Sequence, residues 1–363
     1  MALILSAVLI LPTAVFALEE SNVAAASFDD SVFRTLSSRT VKPKKKLKGN
    51  LTSMIREGNS GYASVQGGCT DGTYAYYLMV STKTQKGRVL KVRMKDNKVV
   101  KRSKVLNTWH GNGMAYDSKR KKLVVIAREH RKQEITVIDA STLRVTRQAN
   151  VKYDHYAGAG EDSLSRTHQE QGLAAIAYVR KYDCYVALER VYHNLLVFDP
   201  DTFEATGMAY TDFTDEYPGT FQAMDADEKY VYLLLSAYEK DGKKQPYNLI
   251  LALDWNSENM LPAAGDGGDE IPAYAEKAWS CNNNGSGRPD AVIRLNTKYE
   301  AENIYHTTNS SGQEHFYLSE YYGHGVYKTV TKKVKVNGRW KKTKVKKLKY
   351  FKRDNFVYDL GVI

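Results

Sequence analysis

Cysteine is scarce in this chain of 363 residues, which has only Cys69, Cys184 and Cys281. An odd number of widely separated cysteines provides neither a disulfide framework nor the paired spacing of a zinc site. Cys69 and Cys184 lie in apolar, strand-like segments, where an unpaired thiol behaves as a small buried hydrophobe. We therefore predict two buried thiols, with one disulfide among the three cysteines as the alternative.

Long hydrophobic runs are also missing, apart from the first residues, MALILSAVLILPTAVFA. This run is short for a membrane span, contains Pro12 and ends in Val15-Phe16-Ala17, a small-residue cleavage pattern. We interpret residues 1–17 as a secretory signal peptide, although no Lys or Arg precedes the apolar segment, and an uncleaved helix is the alternative. We expect a secreted or cell-surface protein with no transmembrane segment in the mature chain.

The third absence is a helical period of useful length. Apolar segments are short, rich in Val, Tyr, Leu and Ile, and separated by Gly, Asp and Asn, which is typical of β-strands. Because no segment repeats its apolar residues every three or four positions, the chain is predicted to be all-β.

Four segments share one pattern, in which an amide residue followed by Gly or Ala precedes a turn and two apolar strands. They begin at Gln66, Asn112, Gln171 and Gln222, at intervals of 46, 59 and 51 residues. A fifth, looser unit contains ENIYHTT, EHFYLSEYY, GVYKTV and a basic hairpin. Units of this length, each a four-stranded antiparallel sheet, are what a β-propeller blade requires. We predict a five-bladed β-propeller over residues 60–363, with six or seven blades as the alternative.

Three units end their third strand alike, in TVIDASTLRV, LVFDPDTFEA and LALDWNSENM. The shared Asp139, Asp199 and Asp254 are expected to cap the backbone of the turn that follows. These corners resemble those of secreted propellers of the NHL and YVTN repeat type over most of the chain. The Gln-Gly openings also resemble the five-bladed glutaminyl cyclases of the plant type. No single family is identified.

Two segments fall outside the repeat. Residues 18–59 are predicted to be an extended lead that includes the Lys-rich tract KPKKKLK at 42–48, and residues 256–290 are predicted to be an insertion in the fourth blade. The insertion contains Asp266, Asp269 and Glu270, an acidic turn that is the alternative site for Ca²⁺. Since no complete metal-binding motif is present, we predict no metal and no cofactor.

Acidic residues are missing from residues 328–353, which contain thirteen Lys and Arg. The formal net charge is +12, to which this segment contributes +13 and residues 42–48 contribute +5, so the rest of the chain has a net charge of −6. Basicity this localised indicates an electrostatic binding surface, because protecting an edge strand takes only one or two lysines. The alternative is a solvated edge made by the outer strands of the last blade.

Asn337-Gly338 predicts a two-residue type I′ turn at the tip of this basic hairpin. Like charges that the turn places opposite each other repel unless an anion lies between them. We therefore expect an anionic polysaccharide or cell-wall polymer as the partner, and no specific nucleic acid, because no nucleic-acid motif or aromatic platform accompanies the lysines. The predicted pairs are Val336 with Arg339, Lys335 with Trp340, Val334 with Lys341, Lys333 with Lys342 and Thr331 with Lys344.

The inner strand of a blade begins, and its second strand ends, at the same face of a propeller. Two carboxylates there would suit glycoside hydrolysis, and an imidazole base beside an arginine would suit a polysaccharide lyase. The alternative is that these polar side chains satisfy backbone groups around the channel or are solvated. The candidate catalytic residues are Glu129, Glu189, Glu320, His110 and His168. The candidate ligand-binding residues are Gln66, Asn112, Arg128, Gln171, Arg190 and Gln222 on this face, and Lys333, Lys335, Trp340, Lys342 and Lys344 on the hairpin.

The sequence thus favours a monomeric, secreted propeller that binds an anionic cell-surface polymer or glycan. Two alternatives remain, a polysaccharide hydrolase or lyase that uses the central funnel and a propeller that binds protein partners. A large apolar patch on the rim would favour the protein partner.

Overall fold

The structure is a computed structural model whose secondary structure consists of β-strands. It describes residues 39–42, 44–45, 61–81, 83–127, 135–151, 172–190, 195–210, 217, 219–236, 239–240, 243–244, 248–254, 261–262, 289–297, 299–308, 311–336 and 339–363. No helix occurs among these residues, so none is present that is long and apolar enough to cross a membrane. The predicted signal peptide, Cys281 and most of the predicted insertion lie outside the described residues.

Two short strands precede the first three blades, and each of these blades contains four antiparallel strands in sequence order. The N-terminal strands are β1 (Arg39–Val41) and β2 (Lys44–Lys45). Blade one contains β3 (Ser64–Thr70), β4 (Tyr74–Val80), β5 (Gly87–Arg93) and β6 (Lys98–Arg102). Blade two contains β7 (Gly111–Asp117), β8 (Lys122–Ala127), β9 (Ile135–Asp139) and β10 (Val145–Ala149). Blade three contains β11 (Leu173–Val179), β12 (Cys184–Glu189), β13 (Leu195–Phe198) and β14 (Ala205–Tyr210).

The last two blades carry additions to the same plan. Blade four contains β15 (Thr220–Ala226), β16 (Tyr230–Ser236), β19 (Asn248–Asp254) and β21 (Ala291–Leu295). Between them lie a small hairpin of β17 (Glu239–Lys240) and β18 (Lys243–Lys244), and β20 (Leu261–Pro262), which pairs with β14 of blade three. Blade five contains β22 (Glu300–Thr308), β23 (Glu314–Val336) and β24 (Arg339–Val362).

Five apolar clusters, one at each interface between neighbouring blades, close the sheets into a ring. The interface between blades five and one, for example, packs Tyr305 and Tyr317 against Val65 and Tyr77. The other four clusters join blades one and two, two and three, three and four, and four and five. Because both faces of each sheet are covered, strands such as β11, the inner strand of blade three, and β16, the second strand of blade four, are buried at every residue. The five-bladed propeller is confirmed.

Small residues let the inner strands approach one another around the axis. A Cβ atom added to Gly67 would lie 3.1 Å from the backbone of Gly113, and one added to Gly113 would lie 3.3 Å from the backbone of Ile176. A backbone neighbour cannot move aside as a side-chain end can, so glycine suits these two positions. This close packing explains why the repeated pattern places Gly after its amide residue.

The N-terminal strands complete blades four and five. β1 runs parallel to β21 and adds a fifth strand to blade four, and β2 runs antiparallel to β24 and provides the outermost strand of blade five. Arg39 also donates a hydrogen bond from Nη2 to the carbonyl oxygen of Val362, at 3.1 Å. These parts of the predicted lead are therefore built into the propeller, and the two ends of the described chain meet in its last blade.

Aspartates hold the turns at the outer corners, as the sequence predicts. Asp139 Oδ1 accepts hydrogen bonds from the backbone N–H groups of Ser141 and Thr142, and Asp199 Oδ1 accepts them from Asp201 and Thr202. Charged and polar donors around Asp139, with Ser141 first among them, hold the pKa of its carboxyl well below the usual range. The residues after Asp254 lie outside the described residues, so the prediction for that corner stays open.

Cys69 and Cys184 are buried, unpaired thiols in different blades, as predicted. Burial raises the pKa of the Cys184 thiol to about 12 and that of Cys69 well above its ordinary value. A thiol with a raised pKa is mostly protonated at neutral pH and is a poor nucleophile. Neither cysteine is therefore a candidate for covalent chemistry.

Candidate functional site

A β-bulge lies near the start of every inner strand and marks the equivalent position in the five blades. At each of these positions one residue of the inner strand has no partner in the register of the second strand. The residues at the bulges are Gln66, Asn112, Ala174, Gln222 and Glu302. The third repeat is therefore aligned on Ala174, three residues after the predicted Gln171. Blade five joins the pattern through Glu302-Asn303.

Side chains at the bulges link neighbouring inner strands. Gln66 Nε2 donates to Glu302 Oε2 at 3.0 Å, which joins blade one to blade five. Asn112 Nδ2 donates to the carbonyl oxygen of Ala174 at 2.6 Å, which joins blade two to blade three. Because these groups are buried, each contact satisfies a polar atom that water does not reach. The ligand-binding role of Gln66 and Asn112 stays a prediction beside this structural one.

The fourth and fifth blades are joined in the same way. Gln222 Nε2 donates to Glu300 Oε1 at 2.9 Å. The inner strand of blade five thus accepts hydrogen bonds from both neighbouring blades, through Glu300 from Gln222 of blade four and through Glu302 from Gln66 of blade one. Sequence comparison of the blades missed Glu300 and Glu302. The signal that could have found Glu302 is its place as a polar residue at the start of an apolar strand, like Gln66 and Asn112, although Asn303 stands where a glycine follows them.

Two of the three predicted catalytic glutamates occupy one equivalent position. Glu189 faces Leu173 in blade three and Glu320 faces Ala301 in blade five, and each of these inner-strand partners directly precedes the bulge. The side chains are 1 % and 0 % exposed. Both carboxyls are thus buried, and a polymer at this face does not reach them without rearrangement.

Glu320 belongs to a buried polar cluster between blades four and five. Burial raises the pKa of its carboxyl to about 7, and the neighbouring polar side chains of Thr297 and Tyr358 oppose this rise in part. Asn248 also belongs to this cluster. Its Nδ2 donates a hydrogen bond to Thr297 Oγ1, and its Oδ1 accepts one from Ser236 Oγ. A buried carboxyl that titrates near neutral pH is a feature of catalytic acids, but also of carboxyls that are simply desolvated.

The remaining candidates on this face are divided between described and undescribed residues. His110 is half-buried, has a left-handed backbone with φ 55°, and donates its N–H to the carbonyl oxygen of Gln85. Arg190 is exposed, and its N–H bonds to the carbonyl oxygen of Gly172. Arg128, Glu129, His168 and Gln171 lie outside the described residues, so their predicted roles stay predictions.

An ion pair at the opposite face of the ring was not predicted. His306 of blade five contacts Asp225 of blade four, with 2.6 Å between Nδ1 and Oδ2. Burial lowers the pKa of His306, but the charge and hydrogen bond of Asp225 outweigh burial and raise it to about 9. The two residues are 81 positions apart, and no local pattern links them.

Within the described residues, no three His, Cys, Asp or Glu side chains gather in a way that could hold a metal ion. The acidic turn of Asp266, Asp269 and Glu270 lies outside those residues. The alternative Ca²⁺ site is therefore untested.

The basic hairpin extends the middle of blade five. Its two strands are the continuations of β23 and β24, which are the second and third strands of the blade. The placement in the outer strands of the last blade is therefore wrong, since β2 takes that place, whereas the solvated edge stays an untested alternative. The segments EHFYLSEYY and GVYKTV of the fifth unit both lie within β23. We call residues 328–353 the ribbon.

The register of the ribbon follows the prediction from Asn337-Gly338. Lys333 pairs with Lys342, Lys335 with Trp340, and the three other predicted pairs are also present. All ten Lys and Arg that lie between residues 328 and 347 are exposed, and no described acid forms an ion pair with any of them. Ten uncompensated cations thus occupy a two-stranded segment.

Comparison with known proteins identifies no family. No family model matches the chain, and no curated protein matches it. The crystal structure of Myxococcus xanthus glutaminyl cyclase matches at a TM-score of 0.44 and 12% identity, covering 78% of this chain and 93% of that one. Regucalcin from Agrobacterium tumefaciens matches at 0.37 and 10%, covering 78% and 88%. Hydrazine synthase of Kuenenia stuttgartiensis matches at 0.37 and 12%, covering 74% and 59%. The chain is a β-propeller of no identified family.

Proposed function

We propose that the protein is a binding module that acts outside the cell and holds an anionic surface polymer through the ribbon. The observation that supports this most is the set of ten exposed cations between residues 328 and 347, none of which forms an ion pair with an acid among the described residues. Neighbouring positive charges repel in the free protein, and an extended polyanion relieves that repulsion while releasing its own counterions. Attraction of this kind is stronger at low salt.

The hydrolase or lyase alternative has weaker support. Glu189 and Glu320 are buried, whereas a glycosidase needs two carboxyls that flank the substrate. The ten Lys and Arg of the ribbon between residues 328 and 347, in contrast, are exposed and need no rearrangement to meet a polymer.

Retention of the full chain on immobilised heparin and on wall teichoic acid tests the proposal. We expect retention at low salt and elution as the salt concentration rises, because counterion release weakens with added salt. The comparison variant shortens the ribbon by joining Tyr327 to Leu348 through Asn-Gly, which keeps the paired strands of blade five and removes the ten cations.

The shortened variant is expected to pass through both columns with an unchanged melting temperature. Retention of the shortened variant at the wild-type salt concentration would show that the ribbon is not the binding site. A wild-type protein that binds neither polymer at low salt would rule out the proposed function itself.

A further inference from the structure

The ribbon has two different faces with the same number of charges. In an antiparallel pair, opposite residues share a face and successive pairs alternate between the faces. The lysine face contains Thr329, Thr331, Lys333, Lys335, Trp340, Lys342, Lys344 and Lys346. The valine face contains Lys328, Val330, Lys332, Val334, Arg339, Lys341, Thr343, Val345 and Lys347. Each face has five Lys or Arg.

The charges on the lysine face form a continuous row. Lys342, Lys344 and Lys346 follow one another on the same strand, about 7 Å apart at two residues per step. Lys333 stands directly opposite Lys342, and every side chain of this face is exposed. A linear polyanion lying along the strand would meet a cation at each step.

The valine face lacks such a row. The pair of Val330 and Val345 separates the cations at the base from those nearer the tip. Val330, Val334 and Val345 are half-buried, so this face is partly covered by its own side chains. Its five cations are therefore scattered around an apolar stripe.

The lysine face also carries an exposed aromatic residue at its tip. Trp340 pairs with Lys335, and the tryptophan is 68% exposed. An indole has a large flat apolar surface whose exposure to water is unfavourable, and it packs well against the C–H face of a pyranose ring. A cation row that ends at such a ring suits a polymer with both charges and rings.

We propose that the lysine face alone binds a linear anionic polysaccharide, with Trp340 stacked on one of its sugar rings. This inference rests on the proposed function and specifies both the face and the chemistry of the polymer. A single aromatic residue is too few for the stacking of successive bases of a nucleic acid. Between its ends the face has only Lys and Thr, so it offers no apolar surface to insert into a lipid bilayer.

Two variants with equal changes in charge test which face binds. One replaces the lysine-face cations with Gln (K333Q, K335Q, K342Q, K344Q and K346Q), and the other replaces those of the valine face (K328Q, K332Q, R339Q, K341Q and K347Q). Affinity for heparin is measured by titration at several salt concentrations. In the first variant the slope of log affinity against log salt should become shallower by about 3.5 to 4.5, since each of the five lost contacts removes about 0.7 to 0.9. The second should keep nearly the wild-type slope.

The outcomes separate this inference from the proposed function. Equal losses in the two variants would overturn the one-sided face while leaving the ribbon as the binding site. Unchanged binding in both variants would overturn both proposals. Melting temperatures should match the wild type, because all ten replaced side chains are exposed.

The role of Trp340 is tested with polymers that differ in their rings. Trp340→Ala should weaken heparin binding by about tenfold and leave binding of polyphosphate, which has no rings, unchanged; Trp340→Phe should restore part of the loss. Equal effects on both polymers, or none, would overturn the stacking. Tighter binding to single-stranded DNA or to vesicles of phosphatidylserine and phosphatidylcholine than to heparin would overturn the choice of polysaccharide.

Discussion

The ion pair of His306 and Asp225 should make the stability of the propeller depend on pH in a calculable way. The folded protein holds the pKa of His306 at about 9, against an ordinary value of 6.5. A histidine whose pKa is raised on folding contributes its full stabilisation below pH 6.5 and loses it as the pH rises through 9. The pair joins blades four and five, so the contribution stabilises one interface of the ring.

The size of the effect follows from the shift in pKa. A shift of one unit corresponds to about 1.4 kcal/mol, so the pair should contribute about 3 kcal/mol at pH 6 and almost nothing at pH 10. Solvent screening weakens this ion pair only a little, because the side chains of His306 and Asp225 are only 16% and 20% exposed. Asp227 from blade four and Glu314 from blade five also raise the pKa of His306, but less than Asp225 does.

The assay is urea unfolding of the wild type and His306→Gln between pH 6 and pH 10. Glutamine retains a donor for Asp225 but does not titrate, and other groups titrate equally in both proteins. The difference in unfolding free energy should therefore fall from about 3 kcal/mol at pH 6 towards zero at pH 10. A double-mutant cycle with Asp225→Asn should give a coupling energy with the same pH dependence. A difference that does not change over this range would refute an ionised pair in the folded protein.

Two further predictions concern the stability of the ring. Glu320→Gln should unfold at a higher urea concentration than the wild type at pH 8 and at a similar urea concentration at pH 5. The Glu320 carboxyl has a pKa of about 7 in the folded protein, against an ordinary value of 4.5. The stability of the wild type therefore falls by up to about 3 kcal/mol as the pH rises from 4.5 through 7. Equal midpoints of variant and wild type at both pH values would contradict the neutral buried carboxyl. Gly67→Ala should destabilise the protein by about 1–3 kcal/mol, because the new Cβ would lie 3.1 Å from the backbone of Gly113. Ala223 follows the bulge of blade four as Gly67 follows that of blade one. Ala223→Gly should destabilise the protein by less than about 1 kcal/mol. Calorimetric melting of both variants measures this contrast, and equal losses would argue against close backbone approach.

The fold was predictable because its main determinants are local. Pairs of short apolar strands recur at a spacing that fits one blade, and each strand reveals its type without knowledge of its neighbours. The register of the ribbon from Val336–Arg339 to Lys328–Lys347 was predictable for the same reason, since the Asn337-Gly338 dipeptide predicts a two-residue turn that fixes these pairs.

What escaped prediction depends on contacts between distant residues. β2 pairs Lys44 with Asp359, and the ion pair joins His306 to Asp225 across two blades. No short segment encodes either contact. The alignment of blade three failed similarly, because Ala174 takes the bulge position without the amide that marks Gln66 and Gln222. A bulge is a property of two paired strands, and only the pairing reveals it.

The position of the ribbon in blade five makes the charge distribution of the molecule asymmetric. A two-stranded ribbon is marginally stable alone, but here both strands continue into the buried sheet of the blade, which fixes its base. The pairing of Lys44 and Lys45 with β24 brings two lysines of the second basic segment to the same blade. The ribbon, at +13, and these two lysines thus share one blade, whereas the rest of the chain, out of the total of +12, has a net charge of −3. An anionic surface attracts the basic residues of blade five and repels the rest of the chain. The electric field of the protein should therefore orient blade five towards such a surface before contact.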